Sequence, residues 1–534
     1  MTNNADQMVD LQRVAFNNKV FPRFFTEWAG GDSSATSLLD RHTLSDLQEG
    51  TSTIPSSSAG FKDSSFQDRW RTYLQEHQAS STSLDNLEKL MNGDAGVIIT
   101  GQQPGLFGGP LYTLYKSLTA CALAKRLTEN GQPTVPLFWN HSDDHDLSEI
   151  DRTYVLDRAN SLIEIALGLD HQNSAEVHSL SLPDETKEAI SYLETALRDT
   201  EFKSDHIDLL NETRSDNPGN WFSRILLQLF SDEGLVLFEP YLARDAWSES
   251  MKSHMENWER DVEKLRNKGK AIQDAGYTVP LGIPDQPNLF YLEDGERTPV
   301  DPDARSMKDW INLFDEHPEQ FSPGAALRPL IQDQFFPTRG YVAGPGEITY
   351  HAQLGDLYSA NDVDRPALFP RMSLTLVEGK VQKVLDKFDL SADELLQLPA
   401  IKGDVISDAV PESAMDAIDE KKDTIDDLLD ELKDETTSID ENLKDPWEKT
   451  KENVTDALDT YRDKVKNAYL QQSKVGKQQM DKLEMNIFPN GKLQERVISP
   501  WHYFTLYSLD LKDELLETAD HVLDEPFDHH LLNL

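Results

Sequence analysis

The stretch Gly96-Val97-Ile98-Ile99-Thr100-Gly101-Gln102-Gln103-Pro104-Gly105-Leu106-Phe107-Gly108-Gly109-Pro110-Leu111-Tyr112 decides the fold. Gly96–Ile99 is a short apolar run, suited to a strand buried on both faces. The glycines and prolines from 101 to 109 then interrupt any regular element and mark a turn. Pro110 stands at the first position of a helix, where a missing N–H costs nothing. Leu111, Leu114, Tyr115, Leu118 and Ala122 follow at helical spacing. Strand, turn and helix make half of a βαβ unit.

Two further stretches repeat the grammar. Val135-Pro136-Leu137-Phe138-Trp139 runs into Asn140-His141-Ser142-Asp143-Asp144-His145-Asp146 and a helix-like segment. Tyr341-Val342-Ala343 runs into Gly344-Pro345-Gly346-Glu347 and a helix through Tyr350, Leu354 and Leu357. Alternating strands and helices predict the α/β class, an open parallel sheet wrapped by helices. In such sheets ligands bind beyond the carboxyl ends of the strands, where strand order reverses. The three turns are therefore expected to meet around one pocket. Residues 1–95 read as polar helices broken by the loop Thr51–Gly60, and 155–290 as an inserted lobe of mixed helix and strand.

Residues 411–485 have another texture. Ile418, Ile425, Leu428, Leu432 and Ile439, then Trp447, Val454, Leu458, Tyr461, Val465 and Tyr469, recur at heptad-like steps. Ser438–Pro446 carries cap residues and a proline, which predicts two helices meeting at a hairpin. A helix of about 33 residues would reach about 50 Å. Between Asp408 and Asp445 stand 15 acidic and 4 basic residues, a net of −11. Phe488-Pro489-Asn490-Gly491 closes the arm, and Trp501, Tyr503, Phe504 and Leu506 supply apolar mass for a return to the core.

Composition narrows the function. With 534 residues, the chain exceeds what one core usually holds, so two or more units are expected. Lys and Arg number 51 against 95 Asp and Glu, a net charge of −44. No basic stripe is present to displace counterions from nucleic acid or to dock on an anionic membrane. The single cysteine, Cys121, excludes an intrachain disulfide and a cysteine zinc site, and suits a reducing compartment. Its apolar neighbours mark it as a small buried hydrophobe rather than a nucleophile. Met1–Asp6 lacks the basic-then-apolar run of a secretory leader, and no apolar window spans a bilayer. A cytoplasmic location is expected.

Three clusters can carry chemistry. In the first, Gly108 and Gly109 allow close approach to the backbone, and the helix start after Pro110 favours an anion such as phosphate. Gln102 and Gln103 add neutral donors there, with Tyr112 and Lys116 on the following helix. The pattern is neither a P-loop nor a dinucleotide fingerprint, and a turn that merely packs is the other reading. In the second, His141 and His145 stand four apart among Asp143, Asp144 and Asp146. A divalent metal, an acid/base site around His145, and a plain helix cap built by Asp146 and Glu149 all fit. In the third, Glu347 reads either as a helix cap or as a recogniser of an amine or of ribose hydroxyls, beside Gly344 and Gly346. Arg328 reads as a clamp for a carboxylate or phosphate, or as a structural arginine. Arg371-Met372-Ser373 is a further short candidate for phosphate contact.

The run Thr100–Tyr112 resembles the signature of the BshC family of bacillithiol synthesis. Phe138-Trp139 through Asp144-His145-Asp146, Ala326-Leu327-Arg328-Pro329-Leu330, Gly344-Pro345-Gly346-Glu347-Ile348 and Phe488–Arg496 agree in the same order. One departure is Asn140-His141-Ser142-Asp143, where the family pattern has a more apolar lead-in and Glu before Asp-His-Asp.

The resemblance implies a Rossmann-like core with an inserted lobe and a coiled coil used for homodimerisation. On that basis residues 1–154 and 291–410 form the core, 155–290 the lobe, 411–487 a coiled-coil hairpin and 488–534 a returning segment. It also implies joining cysteine to glucosaminyl-malate through an amide bond, with ATP as co-substrate and Mg2+ accompanying it. His145, Asp144, Asp146 and Lys116 would then act in catalysis. Gln102, Gln103, Gly108, Gly109, Tyr112, Arg328, Gly344, Gly346 and Glu347 would bind substrate or nucleotide. A nucleotidyltransferase acting on another small molecule and a non-catalytic nucleotide-binding dimer are the competing expectations.

Overall fold

A computed structural model describes residues 11–50, 53–169, 175–182, 186–293, 296–408, 412–472 and 474–534. The expectations for Met1–Asp6, for the start of the Thr51–Gly60 loop and for the side chain of Tyr469 lie outside what is described. Five strands form the central sheet: β1 (Gly96–Gln102), β2 (Thr134–Asn140), β3 (Val236–Phe238), β4 (Thr338–Ala343) and β5 (Ala367–Pro370). Their order is β5-β4-β1-β2-β3 and every pair is parallel. Such strands are covered on both faces and so read as continuous apolar runs. Val97, Ile98, Ile99, Leu137, Phe138 and Trp139 are accordingly buried. The register between β1 and β2 is unbroken from Gly96↔Thr134 to Gln102↔Asn140. Chain order runs outward from β1 through β2 to β3, then resumes on the other side of β1 with β4. The β1–β4 boundary is therefore the switch point at which a ligand crevice opens.

Helix α1 (Leu111–Glu129) packs on β1 and β2, and its residues from Thr113 to Ala124 are all buried. A second helix, Asp510–Val522, covers its far side. An aromatic layer fills the opposite face of the sheet. Trp139 stacks on Trp247 with ring centroids 5.8 Å apart, and Phe238, Phe335 and Phe336 pack edge-on around them. Trp70 is buried there too and donates its indole N–H to Leu237 O at 2.7 Å. Each such side chain contributes about 1.5–3 kcal/mol of burial.

Several local expectations change. Pro110 is the residue before α1 rather than its first turn. Asp146 begins no helix: a short 3-10 turn, Leu147–Glu149, is followed by the strand Arg152–Leu156. Asp146 accepts from Ser148 N at 3.0 Å, so its capping signal is satisfied by that turn. The helix after Gly344 is two pieces, Pro345–His351 and Gly355–Ala360. The stretch 155–290 is not a separate insertion throughout, because β3 lies within it and is hydrogen-bonded into the core sheet.

The chain divides into two compact units. The first runs to Leu376 and includes Lys492–Leu532; the second is Val377–Gly491 with Asn533–Leu534. Helices Gly379–Phe388, Ala392–Leu396 and Leu398–Asp408 thus belong to the second unit, not to the core as the sequence reading placed them.

In the second unit α2 (Glu412–Thr437) and α3 (Lys444–Gln472) form a hairpin. Trp447 donates to Leu429 O, Lys451 pairs with Asp430, Lys422 with Asp459 and Arg462 with Asp419, so the helices run antiparallel. At 26 and 29 residues they span about 39 and 44 Å, shorter than expected. The heptad reading is also shifted. Leu428, Leu432, Ile439 and Tyr461 are 58, 47, 81 and 58% exposed, while Ile418, Ile425 and Leu429 turn inward. A straight helix drifts against a strict seven-residue repeat, which moves the seam by a position.

Candidate functional site

A cavity of about 600 Å³ opens beyond the carboxyl ends of β1, β2 and β4. Each strand delivers its side chains by running out of the sheet there. Gln102 and Gln103 follow from β1, His141 and Asp144 from β2, and Gly344 to Glu347 from β4. Tyr112 and Lys116 enter from the first turns of α1, and Lys492 and Arg496 from the returning C-terminal segment.

At the floor lies a buried ion pair. Lys116 Nζ is 2.5 Å from Glu347 Oε2, and the lysine also donates to Gly101 O at 2.7 Å and Gln102 Oε1 at 3.0 Å. Glu347 accepts from Tyr341 Oη at 2.8 Å and from Gly344 N at 2.7 Å. Burial lowers the pKa of Lys116 while the Glu347 charge opposes it. Glu347 is held below the usual carboxylate range: burial works against this, but the lysine and the Gly344 N–H outweigh it. Glu347 caps the short helix Pro345–His351, as one reading of it expected, and it also faces the cavity.

Beside the pair, Arg371 Nη2 and Nη1 hold the Glu495 carboxylate at 2.6 and 3.0 Å, both side chains being buried. Arg371 touches the cavity, but its charge is already matched. Lys492 and Arg496 differ. Among the described residues neither is ion-paired, both face the cavity, and both side chains are exposed. The Arg496 guanidinium lies 5.8 Å from the Tyr112 ring centroid. Burial and the Glu149 charge push the Tyr112 phenol up to about 12, so it stays a neutral donor.

His141 is open to the cavity on one side and has no hydrogen-bond partner for its ring among the described residues. Enclosure, then the Arg328 and Lys116 cations, hold its pKa well below the ordinary imidazole value. It is therefore a neutral ring at pH 7. A Cβ on Gly101 would meet His141 Nε2 at 2.8 Å and Trp139 O at 2.7 Å, so only glycine leaves the histidine its place.

Of the expected site residues, Gln102, Gln103, Tyr112, Lys116, Asp144, Gly344, Gly346 and Glu347 share this cavity; Gly108, Gly109, His145, Asp146 and Arg328 do not line it. Gly108 and Gly109 serve the turn itself. They have φ of +91° and +76°, a region that disfavours side chains. Their N–H groups go to Gly105 O and Leu106 O, and Leu111 N donates to Ile498 O at 2.9 Å. The anion-cradle reading of that turn is therefore corrected, because these amides are already spent. Arg328 is buried between Gln332 and Tyr350, each at 3.1 Å, which makes it structural. His145 and Asp146 follow Asp144 on the loop after β2. Gln103 Nε2 donates to Asp144 Oδ2 at 2.8 Å, fixing that carboxylate over the opening.

The sequence reading missed His141 as an acceptor and Lys492 and Arg496 as cations, although the last two stand inside a stretch it singled out. Among the described residues no group of three or more His, Cys, Asp or Glu is placed to hold a metal ion. The metal reading of residues 141–146 has no such ligand set behind it. No helix among them is long and apolar enough to cross a membrane. Chemically, the site offers a cationic rim for an anion, a neutral ring and amide donors.

Comparison with known proteins is consistent along the chain. Residues 9–372 match the family description "Bacillithiol biosynthesis BshC, N-terminal Rossmann-like domain", and residues 374–534 match "Bacillithiol biosynthesis BshC, C-terminal coiled-coil domain". A Salinibacter ruber protein named "Putative cysteine ligase BshC" is 35% identical over 453 residues, covering 80% of this chain and 82% of the relative. Proteins of the same name from Heliobacterium modesticaldum and Chlorobaculum tepidum are each 28% identical and span 96% and 95% of this chain, and 96% of each relative.

Proposed function

The chain belongs to the BshC family of bacillithiol biosynthesis, and from that premise we propose that it is a cysteine ligase that joins cysteine to glucosaminyl-malate through an amide bond, with ATP as co-substrate. The observation that carries this reading is the meeting of Gln103, Asp144, His141, Lys492 and Arg496 at one cavity at the switch point of the sheet.

A carboxylate does not condense with an amine in water, so it needs activation as an acyl-adenylate or acyl-phosphate. Lys492 and Arg496 are suited to hold the phosphates and offset their charge, a role that the turn at Gly108 and Gly109 does not fit. Mg2+ would arrive with the nucleotide, held by its phosphates. Asp144, fixed by Gln103, is suited to orient the attacking amine. Lys116 and Glu347 neutralise each other and add little free charge.

We also propose a homodimer through the arm, and a cytoplasmic location. Leu428, Leu432, Ile439 and Tyr461 are apolar groups left open on an otherwise acidic hairpin. Replacing Leu428 and Leu432 by Glu should lower the mass seen by light scattering to that of one chain; an unchanged mass would exclude this face. The ligase reading is tested by incubating the protein with cysteine, glucosaminyl-malate and ATP and following the thiol product by mass. Product formed only when all three are present supports it. Nucleotide release without amide points to nucleotidyl transfer, and nucleotide binding without turnover to a scaffold.

A further inference from the structure

Arg297 lies on a small antiparallel sheet outside the core, made of Leu289–Glu293, Glu296–Pro299 and Phe321–Pro323. Its side chain is only 8% exposed, and it lies against Asp144, which lines the cavity. Nε donates to Ser322 Oγ at 3.1 Å and Nη2 to Pro323 O at 3.0 Å. The guanidinium carbon sits 4.1 Å from the Phe290 ring centroid. With that anchorage, Nη1 is aimed at the loop after β2, 3.4 Å from His145 Nδ1 and 3.9 Å from Asp144 Oδ1. Glu176 Oε1 lies 3.9 Å from Nε and is itself held by Arg244 at 2.6 Å.

A guanidinium can only donate, and it stays protonated in a protein. The imidazole nitrogen that faces it therefore accepts; Asp144 Oδ1, 3.6 Å from the same Nδ1, lies beyond hydrogen-bond reach and does not compete for a proton there. A neutral imidazole carries one proton, so that proton is on Nε2. His145 keeps a side chain 39% exposed, and its Nε2, with no hydrogen-bond partner among the described residues, is not among the buried unpaired atoms, so that edge is the one left open. We propose that Arg297 is a positioning residue which fixes His145 as the Nε2–H tautomer, so that the histidine works as a hydrogen-bond donor to the substrate and not as a base.

The chemical half of this inference rests on the ligase reading. When the amine nitrogen attacks the activated acyl carbon, its lone pair forms the C–N bond and the carbonyl pair moves onto oxygen. The resulting oxyanion accepts the Nε2–H hydrogen bond. It then collapses and expels the phosphate oxygen with the C–O bonding pair, while the ammonium proton passes to water. A preorganised donor at a developing oxyanion is worth about 10²–10³ in rate. The same arginine, by holding Asp144 and His145 on one side, keeps the carboxylate turned toward Gln103.

The tautomer can be read directly. In the full-length protein labelled with 15N-histidine, at pH 8.5 and with His145→Gln to assign the signal, Nδ1 should appear unprotonated and Nε2 protonated. In Arg297→Lys, which keeps the charge and loses the planar fork, the two tautomers should mix, and kcat should fall in proportion to the Nε2–H fraction lost, about twofold for an even mixture, with KM unchanged. An Nδ1–H signal in the natural protein overturns the inference. So does an Arg297→Lys enzyme with unchanged kcat. If the natural protein makes no amide while its His145 is the Nε2–H tautomer, the ligase reading fails and the assignment of Arg297 stands.

Discussion

Lys116 Nζ and Glu347 Oε2 meet at 2.5 Å at the floor of the cavity, bringing together helix α1 and the turn after β4. Both charges are largely out of water, at 3 and 18% side-chain exposure. Removing one partner of such a pair leaves the other uncompensated, at a cost of about 3–5 kcal/mol, whereas removing both is far milder. Lys116→Met and Glu347→Gln should each lower the urea midpoint strongly, and the double variant should recover much of the loss. Equal and additive losses in the double variant would show that the two groups act independently.

The fold was legible where glycine and proline punctuate fully buried strands. Val97–Ile99 and Tyr341–Ala343 are each followed by a turn built of glycine and proline, and the alternation of strands with helices predicts the parallel order. The cap signature at Asp146 misled because one side-chain oxygen satisfies a three-residue turn as well as a helix. The site was legible in its strand-end residues and illegible in its pairings. Nothing local tells that Arg371 is neutralised by Glu495, that Ile498 O takes the amide of Leu111, or that Lys492 is left without a counter-charge. Those facts depend on where the C-terminal segment returns.

Gly101 occupies a place that no side chain can share. A Cβ there would come within 2.7 Å of Trp139 O, a backbone atom of the neighbouring strand, and 2.8 Å of His141 Nε2. Overpacking of this kind costs about 1–3 kcal/mol. Gly101→Ala should lower the denaturation midpoint and turn His141 out of the cavity, visible as a changed histidine signal by NMR. A fully stable variant with an unmoved His141 would contradict the packing described.

Lys492 and Arg496 supply the unmatched positive charge at the rim. They are exposed and make no ion pair among the described residues, so their loss should change stability by no more than about 0.5 kcal/mol. Lys492→Ala and Arg496→Ala should instead each raise KM for ATP about tenfold, equivalent to about 1.4 kcal/mol. The effect should shrink as salt rises, because exposed charges are screened. Steady-state kinetics at two ionic strengths distinguish this from a general loss of activity.

His529 gives a pH signature of the core. Its ring is buried between Ser373 Oγ at 2.8 Å and Thr375 Oγ1 at 3.0 Å. Burial lowers its pKa from 6.5 to about 4, with the Glu495 charge opposing and the His530 and Arg371 neighbours adding to the shift. Between those two values the unfolded chain binds a proton that the folded chain refuses. Unfolding is therefore favoured as pH falls from about 6.5 to 4, by about 1.4 kcal/mol per pH unit and about 3 kcal/mol in all. Above pH 7 the term vanishes. His529→Asn removes the titrating ring, so urea unfolding of this variant should show a shallower acid slope than the natural protein by that amount between pH 6 and 4.5. Parallel slopes would mean that the ring is protonated in the folded core, and that the two hydroxyls do not hold it neutral.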